Sequence, residues 1–242
     1  MQSKKIRLDK FLVHIGYGSR SEVQKLIKQK KVTINENVIQ KPDFNFDIKE
    51  SRVCVGGNPA VYNEFYYYLL NKPAGVITAT KDPLNDTVID LLLPIDQNKS
   101  LAPVGRLDKD TEGLLILTND GQLNHALLSP KKHVDKVYYA ELNGVITTED
   151  VIKFEQGIQL SDGTKYLPAK LEIIEADAIS KVHVTISEGK FHQIKRMAID
   201  IGKEVLYLKR IKMGGLELPQ DLKLGEYRAL TALELDLLVE KK

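Results

Sequence analysis

Beyond residue 60, short segments with strand periodicity and short amphipathic segments with helical periodicity succeed one another without strict alternation. A doubly wound parallel sheet needs a helix after each strand, so this order argues against it and for an α+β fold. Strands are predicted over 66–70, 76–79, 114–118, 137–142, 169–174, 182–186 and 205–208. Helices are predicted over 88–93, 122–128, 149–154, 191–201 and 232–239, the last opened by a capping box of Thr231 and Glu234. The head has its own plan. Leu8, Phe11, Leu12 and Ile15 follow helical spacing, and Gly16 or Gly18 can end that helix. Ser19 and Glu22 form a second capping box, opening a helix that buries Val23, Leu26 and Ile27. Short strands follow over 32–34, 38–39 and 53–55, the first two joined through Asn35-Glu36-Asn37. Gly56-Gly57-Asn58-Pro59 reads as a linker, which divides the chain into residues 1–60 and 61–242.

Composition narrows the function classes. The longest apolar stretches, such as 114–117 and 76–77, fall far short of the ~20 residues a membrane span needs. The basic start carries no apolar run of the kind a signal peptide has. The single cysteine, Cys54, cannot form an intramolecular disulfide and suits a reducing compartment, so a cytoplasmic protein with no membrane partner is expected. The net charge of +2 hides an asymmetry. Residues 1–41 hold ten Lys/Arg against three acids, a net +7, which leaves −5 for the rest. A cationic head on an acidic body suits contact with a polyanion, though a solvated lysine-rich surface would look the same.

Several chemistries lack their residues. No phosphate-binding glycine loop, dinucleotide fingerprint or nucleophile elbow occurs. The five histidines form no i, i+4 pair, and one cysteine cannot build a zinc site, so catalysis is expected to use carboxylates, Tyr, Lys or Arg without a metal. The densest feature is the segment from Gly105 to Gly121: a polar loop with Arg106, Asp108, Lys109, Asp110 and Glu112, an apolar strand, then Asn119-Asp120-Gly121. A loop that runs into a strand holds a side chain at the edge of a rigid sheet, where a nucleophile is useful. Composition alone does not separate Asp108, Asp110, Glu112 and Asp120 from one another, or from an exposed charged turn.

Resemblance separates them. Arg7-Leu8-Asp9-Lys10-Phe11-Leu12, Gly18-Ser19-Arg20-Ser21-Glu22-Val23, Leu26-Ile27 and Val32-Thr33-Ile34-Asn35 together resemble the S4 RNA-binding module. That module usually has glycine where Lys30 and Glu36 stand, so both turns must be made without it. Gly105-Arg106-Leu107-Asp108, followed by Asp110-Thr111, Gly113-Leu114 and Thr118-Asn119-Asp120-Gly121, resembles the catalytic motif of the RsuA-type pseudouridine synthases. Asn71-Lys72-Pro73-Ala74-Gly75-Val76, Lys136-Val137-Tyr138 and Glu188-Gly189-Lys190-Phe191-His192-Gln193-Ile194-Lys195-Arg196-Met197 are similar to its other motifs. The resemblance implies an S4-like domain followed by a mixed, mainly antiparallel sheet with flanking helices. It implies Asp108, Tyr138 and Lys195 as catalytic residues, with Arg196 the alternative to Lys195. Arg106, Lys72 and Arg196 would then meet RNA, together with Arg7, Arg20, Lys25, Lys28 and Lys31 of the head. By themselves these residues read more plainly: Lys195 as a solvated helix lysine, Tyr138 or Tyr139 as core, Lys72 as structural.

The implied reaction breaks the N1–C1′ bond of a uridine and rejoins the base through C5, with no cofactor. His192-Gln193-Ile194-Lys195-Arg196-Met197, Gly214-Gly215-Leu216 and 224–231 resemble the small-subunit form, which implies 16S ribosomal RNA, naked or in a partly assembled subunit, and a monomeric isomerase. The alternatives are a large-subunit (23S) enzyme, a non-catalytic ribosome-assembly factor, and a hydrolase that pairs Asp108 with Asp110.

Overall fold

The computed structural model describes residues 5–129, 134–160 and 162–239, and among these the chain forms two compact units. The first comprises the described residues up to Tyr66 together with Leu92–Ala102. It contains β1 (Lys5–Arg7), α1 (Leu8–His14), α2 (Arg20–Lys28), β2 (Val32–Ile34), β3 (Asn37–Val38), β4 (Asn45–Asp47), β5 (Val53–Val55) and β6 (Asn58–Pro59), with the short α3 (Pro94–Gln97). Strands β3-β2-β5-β6 form one antiparallel sheet and β1-β4 a separate ribbon. The helical spacing in the sequence becomes one core of Leu8, Phe11, Leu12, Ile15, Val23, Ile27, Val32 and Val53. The Ser19–Glu22 capping box is formed as the spacing predicts. The segment 92–102, assigned by sequence to the second domain, packs here instead. Asn98 donates to the Gly16 carbonyl at 3.3 Å, and a Cβ on Gly16 would lie 2.0 Å from the Ile95 carbonyl oxygen.

The β2–β3 hairpin turns on Asn35 (φ 49°) and Glu36 (φ 68°), both in the left-handed region that a tight hairpin turn requires. Lys30 lies there too, at φ 60°. A non-glycine residue in this region costs on the order of 1 kcal/mol, partly offset by the lower entropy of its unfolded chain. Glu36→Gly should therefore raise stability by about 0.5–1 kcal/mol, read as a higher urea midpoint at constant slope. A lower midpoint would contradict the strain.

The second unit comprises Tyr67–Leu91 and the described residues from Pro103 onward. Its strands are β7 (Tyr67–Lys72), β8 (Ala102–Pro103, at its entry), β9 (Glu112–Thr118), β10 (Lys136–Asn143), β11 (Ile158–Gln159), β12 (Lys165–Tyr166), β13 (Lys170–Glu175), β14 (Ile179–Ile186), β15 (Val205–Met213), β16 (Leu216–Glu217) and β17 (Tyr227–Ala229). Its helices are α4 (Gly121–Leu128), α5 (Thr148–Gln156), α6 (Gln193–Asp200) and α7 (Ala232–Val239). The main sheet runs β13-β14-β10-β15-β9-β7-β17, antiparallel except between β9 and β15. Leu69, Leu114, Ile116, Leu127 and Met213 centre a core beneath it. The parallel β9–β15 contact depends on Gly113, φ 103°, where a Cβ would lie 2.2 Å from the Arg210 carbonyl oxygen.

Two predicted elements differ. Residues 76–79 make only a single bridge, Ile77 to Thr87, rather than a strand. Residues 88–93 form turns rather than a helix, although Val88, Ile89 and Leu92 are buried. Burial of apolar side chains in an irregular segment produced both signals.

Candidate active site

The loop from Gly105 to Thr111 is fastened by the last residue of β7 and by the segment that follows that strand. Lys72 has no exposed surface. Its Nζ donates to the carbonyls of Pro73 at 3.0 Å, Asp108 at 3.1 Å, Lys109 at 3.4 Å and Thr111 at 2.9 Å. The Gly75 N–H donates to the Lys109 carbonyl at 2.8 Å, and the Thr78 hydroxyl donates to the Leu107 carbonyl at 2.7 Å. Loop carbonyls that would otherwise be buried without donors thus acquire them. Burial is the largest influence on Lys72 and pulls its pKa down to about 8, against the attraction of Asp110, Asp108 and Glu112. Lys72 was expected to contact RNA. Its ammonium is consumed inside the protein, so it positions the loop instead.

The four carboxylates left equivalent by composition occupy four environments. Asp120 caps α4, accepting from the Gln122 and Leu123 N–H groups at 3.0 Å each, and accepts from the Tyr67 hydroxyl at 2.8 Å. Glu112 accepts from the Tyr207 hydroxyl at 2.6 Å. Asp110 is 73% exposed and lies 2.6 Å from Lys195 Nζ. Asp108, 29% exposed, lines a cavity and lies 3.2 Å from the same Nζ.

That cavity, about 60 Å³, is walled by Tyr138, Ile186, Ile194 and Leu208 and carries Asp108, Lys195 and Arg106 at its polar side. It adjoins a groove of about 1060 Å³, with Arg106, Asp108, Lys190 and His192 common to both. Tyr138 is buried at the cavity, whereas Tyr139 lines a separate pocket with His183 and Lys209, as alternation along β10 requires. Burial opposes the charge on Lys195, but hydrogen bonds to Asp110 and Asp108 outweigh it and its pKa stands above the ordinary lysine value. Lys195 is thus a cation that holds two carboxylates. Removing one aimed charge from a catalytic site costs on the order of 10²–10³-fold, so Lys195→Met should lower kcat by about 10²-fold and Lys195→Arg should recover part of it. Equal kcat in Lys195→Met and wild type would contradict this.

The remaining predicted contacts separate into groups. Arg106 is exposed at the cavity and the groove. Arg196 pairs with Asp162 and lies over the Tyr166 ring at 6.0 Å, so its charge is already engaged. In the first unit, Arg7 grips the buried Asp9 through two bonds of 3.0 and 2.7 Å, and Arg20 stands 3.7 Å from the same carboxylate. Lys25, Lys28 and Lys31 are exposed. Sequence reasoning missed two groups beside Asp108: Asp110 as a second ligand of Lys195, and His192, whose Nε2 lies 3.5 Å from Asp108 Oδ1. Lys136, from the same motif as Tyr138, is buried with its Nζ donating to the Val134 carbonyl at 2.7 Å. Burial, then the nearby Arg210, pulls its pKa down to about 8.

Comparison with known proteins supplies a family for this geometry. Residues 66–199 match the family described as RNA pseudouridylate synthase, and residues 6–53 match the S4 domain. The chain is 48% identical over 236 residues to the uncharacterized RNA pseudouridine synthase YtzG of Bacillus subtilis, covering 97% of this chain and 99% of that relative. It is 38% identical over 235 residues to ribosomal small subunit pseudouridine synthase A of Escherichia coli, covering 95% and 98%. A crystal structure of a pseudouridylate synthase is similar at a TM-score of 0.67 with 35% identity, covering 97% of this chain and 100% of that one. Among the described residues, no helix is long and apolar enough to cross a membrane.

Proposed function

Because this chain belongs to the RNA pseudouridylate synthase family and carries an S4 domain ahead of the synthase domain, we propose that it converts a uridine of small-subunit (16S) ribosomal RNA to pseudouridine in the cytoplasm, as a monomer, with Asp108 as the catalytic carboxylate. The observation that carries the assignment of Asp108 is its position: a carboxylate 3.2 Å from a lysine cation, at a cavity that also holds Tyr138. The reaction breaks N1–C1′, turns the uracil and forms C5–C1′; C5 gives up its proton and N1 gains one. Asp108 acts on the ribose or the base while Lys195 orients it and stabilises its charge. Tyr138 stacks on the detached uracil, and the apolar wall of Ile186, Ile194 and Leu208 keeps that base from escaping to water.

Extruding the uridine costs a few kcal/mol, which contacts of the head and of Arg106 with RNA offset. We place Lys25, Lys28 and Lys31 among the phosphate contacts, with Arg20 beside them. The first unit, up to Tyr66 with Leu92–Ala102, serves as the RNA-binding module and the second as the catalytic one. The small-subunit assignment is supported by the 38% identical relative of that name and by the sequence 192–197.

The test is tritium release from ribosomal RNA labelled at uridine C5, with small-subunit RNA, naked and bound to ribosomal proteins, beside large-subunit RNA. Release from small-subunit RNA is expected. Release from large-subunit RNA alone would keep the chemistry and overturn the substrate, and tight RNA binding without any release would favour an assembly factor.

A further inference from the structure

Phe191 does not belong to the buried core. It is 68% exposed, and it precedes α6, whose buried face is formed by Gln193, Ile194, Met197 and Ala198. Its ring lies instead against the His192 ring, with centroids 3.8 Å apart and planes inclined by 18°. His192 holds this arrangement through a left-handed backbone, φ 47° and ψ 33°, without a side-chain cap on the helix it precedes. Non-glycine residues kept in that region are strained, and such strain concentrates at functional sites. The result is a layered series: the Asp108 carboxylate, the His192 imidazole with Nε2 3.5 Å from it, then the Phe191 ring.

The groove beside Asp108 repeats the theme. Leu128 (43% exposed) and Leu167 (44% exposed) line it with Phe191, and the exposed cations Arg106 and Lys109 line it as well. Aromatic and apolar faces interleaved with cations are what a splayed single strand requires, the bases stacking and the phosphates pairing. We propose that the Phe191–His192 ring pair is the stacking platform for a nucleobase adjacent in sequence to the target uridine. The platform makes this loop a determinant of which unpaired RNA segment the site accepts. The inference rests on the reading of the chain as an RNA-modifying enzyme, and it makes Phe191 a positioning residue. His192 sets the ring, and Phe191 offers its outer face to the base.

The chain contains no tryptophan, so Phe191→Trp would place a single indole reporter on the platform. Titrated with transcribed small-subunit RNA, and separately with oligouridylate, the indole emission should be quenched in step with binding measured by filter retention. In tritium release, Phe191→Leu, which keeps apolar bulk but no π face, should raise KM at least about tenfold, while Phe191→Trp keeps the affinity that leucine loses. Emission that stays unchanged through saturation, or a Phe191→Leu KM within about twofold of wild type, overturns the platform. If wild-type protein released no tritium from any RNA, the isomerase reading would fall, and the emission titration would still decide whether bases stack at Phe191.

Discussion

Asp108→Asn is expected to reduce pseudouridine formation by at least about 10⁴-fold, the scale at which single nucleophiles or bases are lost from other enzymes. The amide keeps the shape of the side chain but removes the charge that Lys195 holds at 3.2 Å. Stability should change by less than about 1 kcal/mol, because Asp108 is 29% exposed and Lys195 keeps its 2.6 Å partner Asp110. RNA affinity should also survive, since the phosphate-binding cations are untouched. The checks are tritium release, a thermal melt and filter binding on the same preparation. Asp110→Asn separates the isomerase from the paired-carboxylate hydrolase. An isomerase that relies on Asp108 tolerates the change with at most a roughly tenfold loss, because Asp110 acts only through Lys195. A hydrolase that uses Asp110 as acid or base would lose its activity as completely as in Asp108→Asn.

Lys72→Met should be the most damaging substitution outside the cavity. Methionine fills a similar volume but donates nothing, so the carbonyls of Pro73, Asp108, Lys109 and Thr111 lose their shared ammonium. The Lys109 and Asp108 carbonyls keep backbone donors, the Gly75 and Thr111 N–H groups, but those of Pro73 and Thr111 lose the donor that Lys72 supplies. Buried acceptors left without a donor cost about 1–3 kcal/mol each, partly offset because a desolvated charge is removed, so a net loss of about 2 kcal/mol is expected. The loop that carries Asp108 then shifts, and a misplacement near 1 Å can cost about 10²-fold in kcat. A fall in kcat with KM and salt dependence preserved is the expected signature. A rise in KM with a shallower salt slope would instead make Lys72 an RNA contact. The proton on Lys72 gives a second check. With a pKa near 8 it is charged at neutral pH and loses that charge as pH rises through about 8, so kcat should fall there. Lys136 also titrates near 8, so the Lys136→Met profile should keep the decline if Lys72 causes it.

Much of this arrangement is legible in the sequence because it is local. Ser19 and Glu22 predict the cap they form, and Thr231 and Glu234 likewise cap α7 reciprocally, at 3.3 and 2.9 Å. The apolar stretch after Gly113 predicts the strand that becomes β9, between β15 and β7 in the sheet. The motif resemblance places Asp108, Tyr138 and Lys195 in three distant parts of the chain, and the fold brings all three to one cavity. The illegible features depend on contacts between segments remote in sequence. A lysine before a proline reads as structural, or by resemblance as an RNA contact. Nothing near it reveals that its ammonium ends beneath a loop that begins more than thirty residues later. The segment 92–102 reads as a continuation of the second domain, and the fit of Ile95 against the bare backbone of Gly16, with the Asn98 bond to the Gly16 carbonyl, shows where it packs. Residues 76–79 and 88–93 carry the apolar content of regular elements, yet Thr78 spends its hydroxyl on Leu107 and the chain stays irregular.

The most direct test of the central claim is the nucleoside content of small-subunit ribosomal RNA after treatment with the protein. Digested to nucleosides and separated by chromatography, the RNA should show pseudouridine appearing with a matched loss of uridine and no free uracil. The strand should stay intact, and RNA treated with Asp108→Asn should be unchanged. Free uracil or a cleaved strand would show that the N1–C1′ bond is broken without being rejoined at C5. That result would contradict the isomerase account and return the site to a hydrolase.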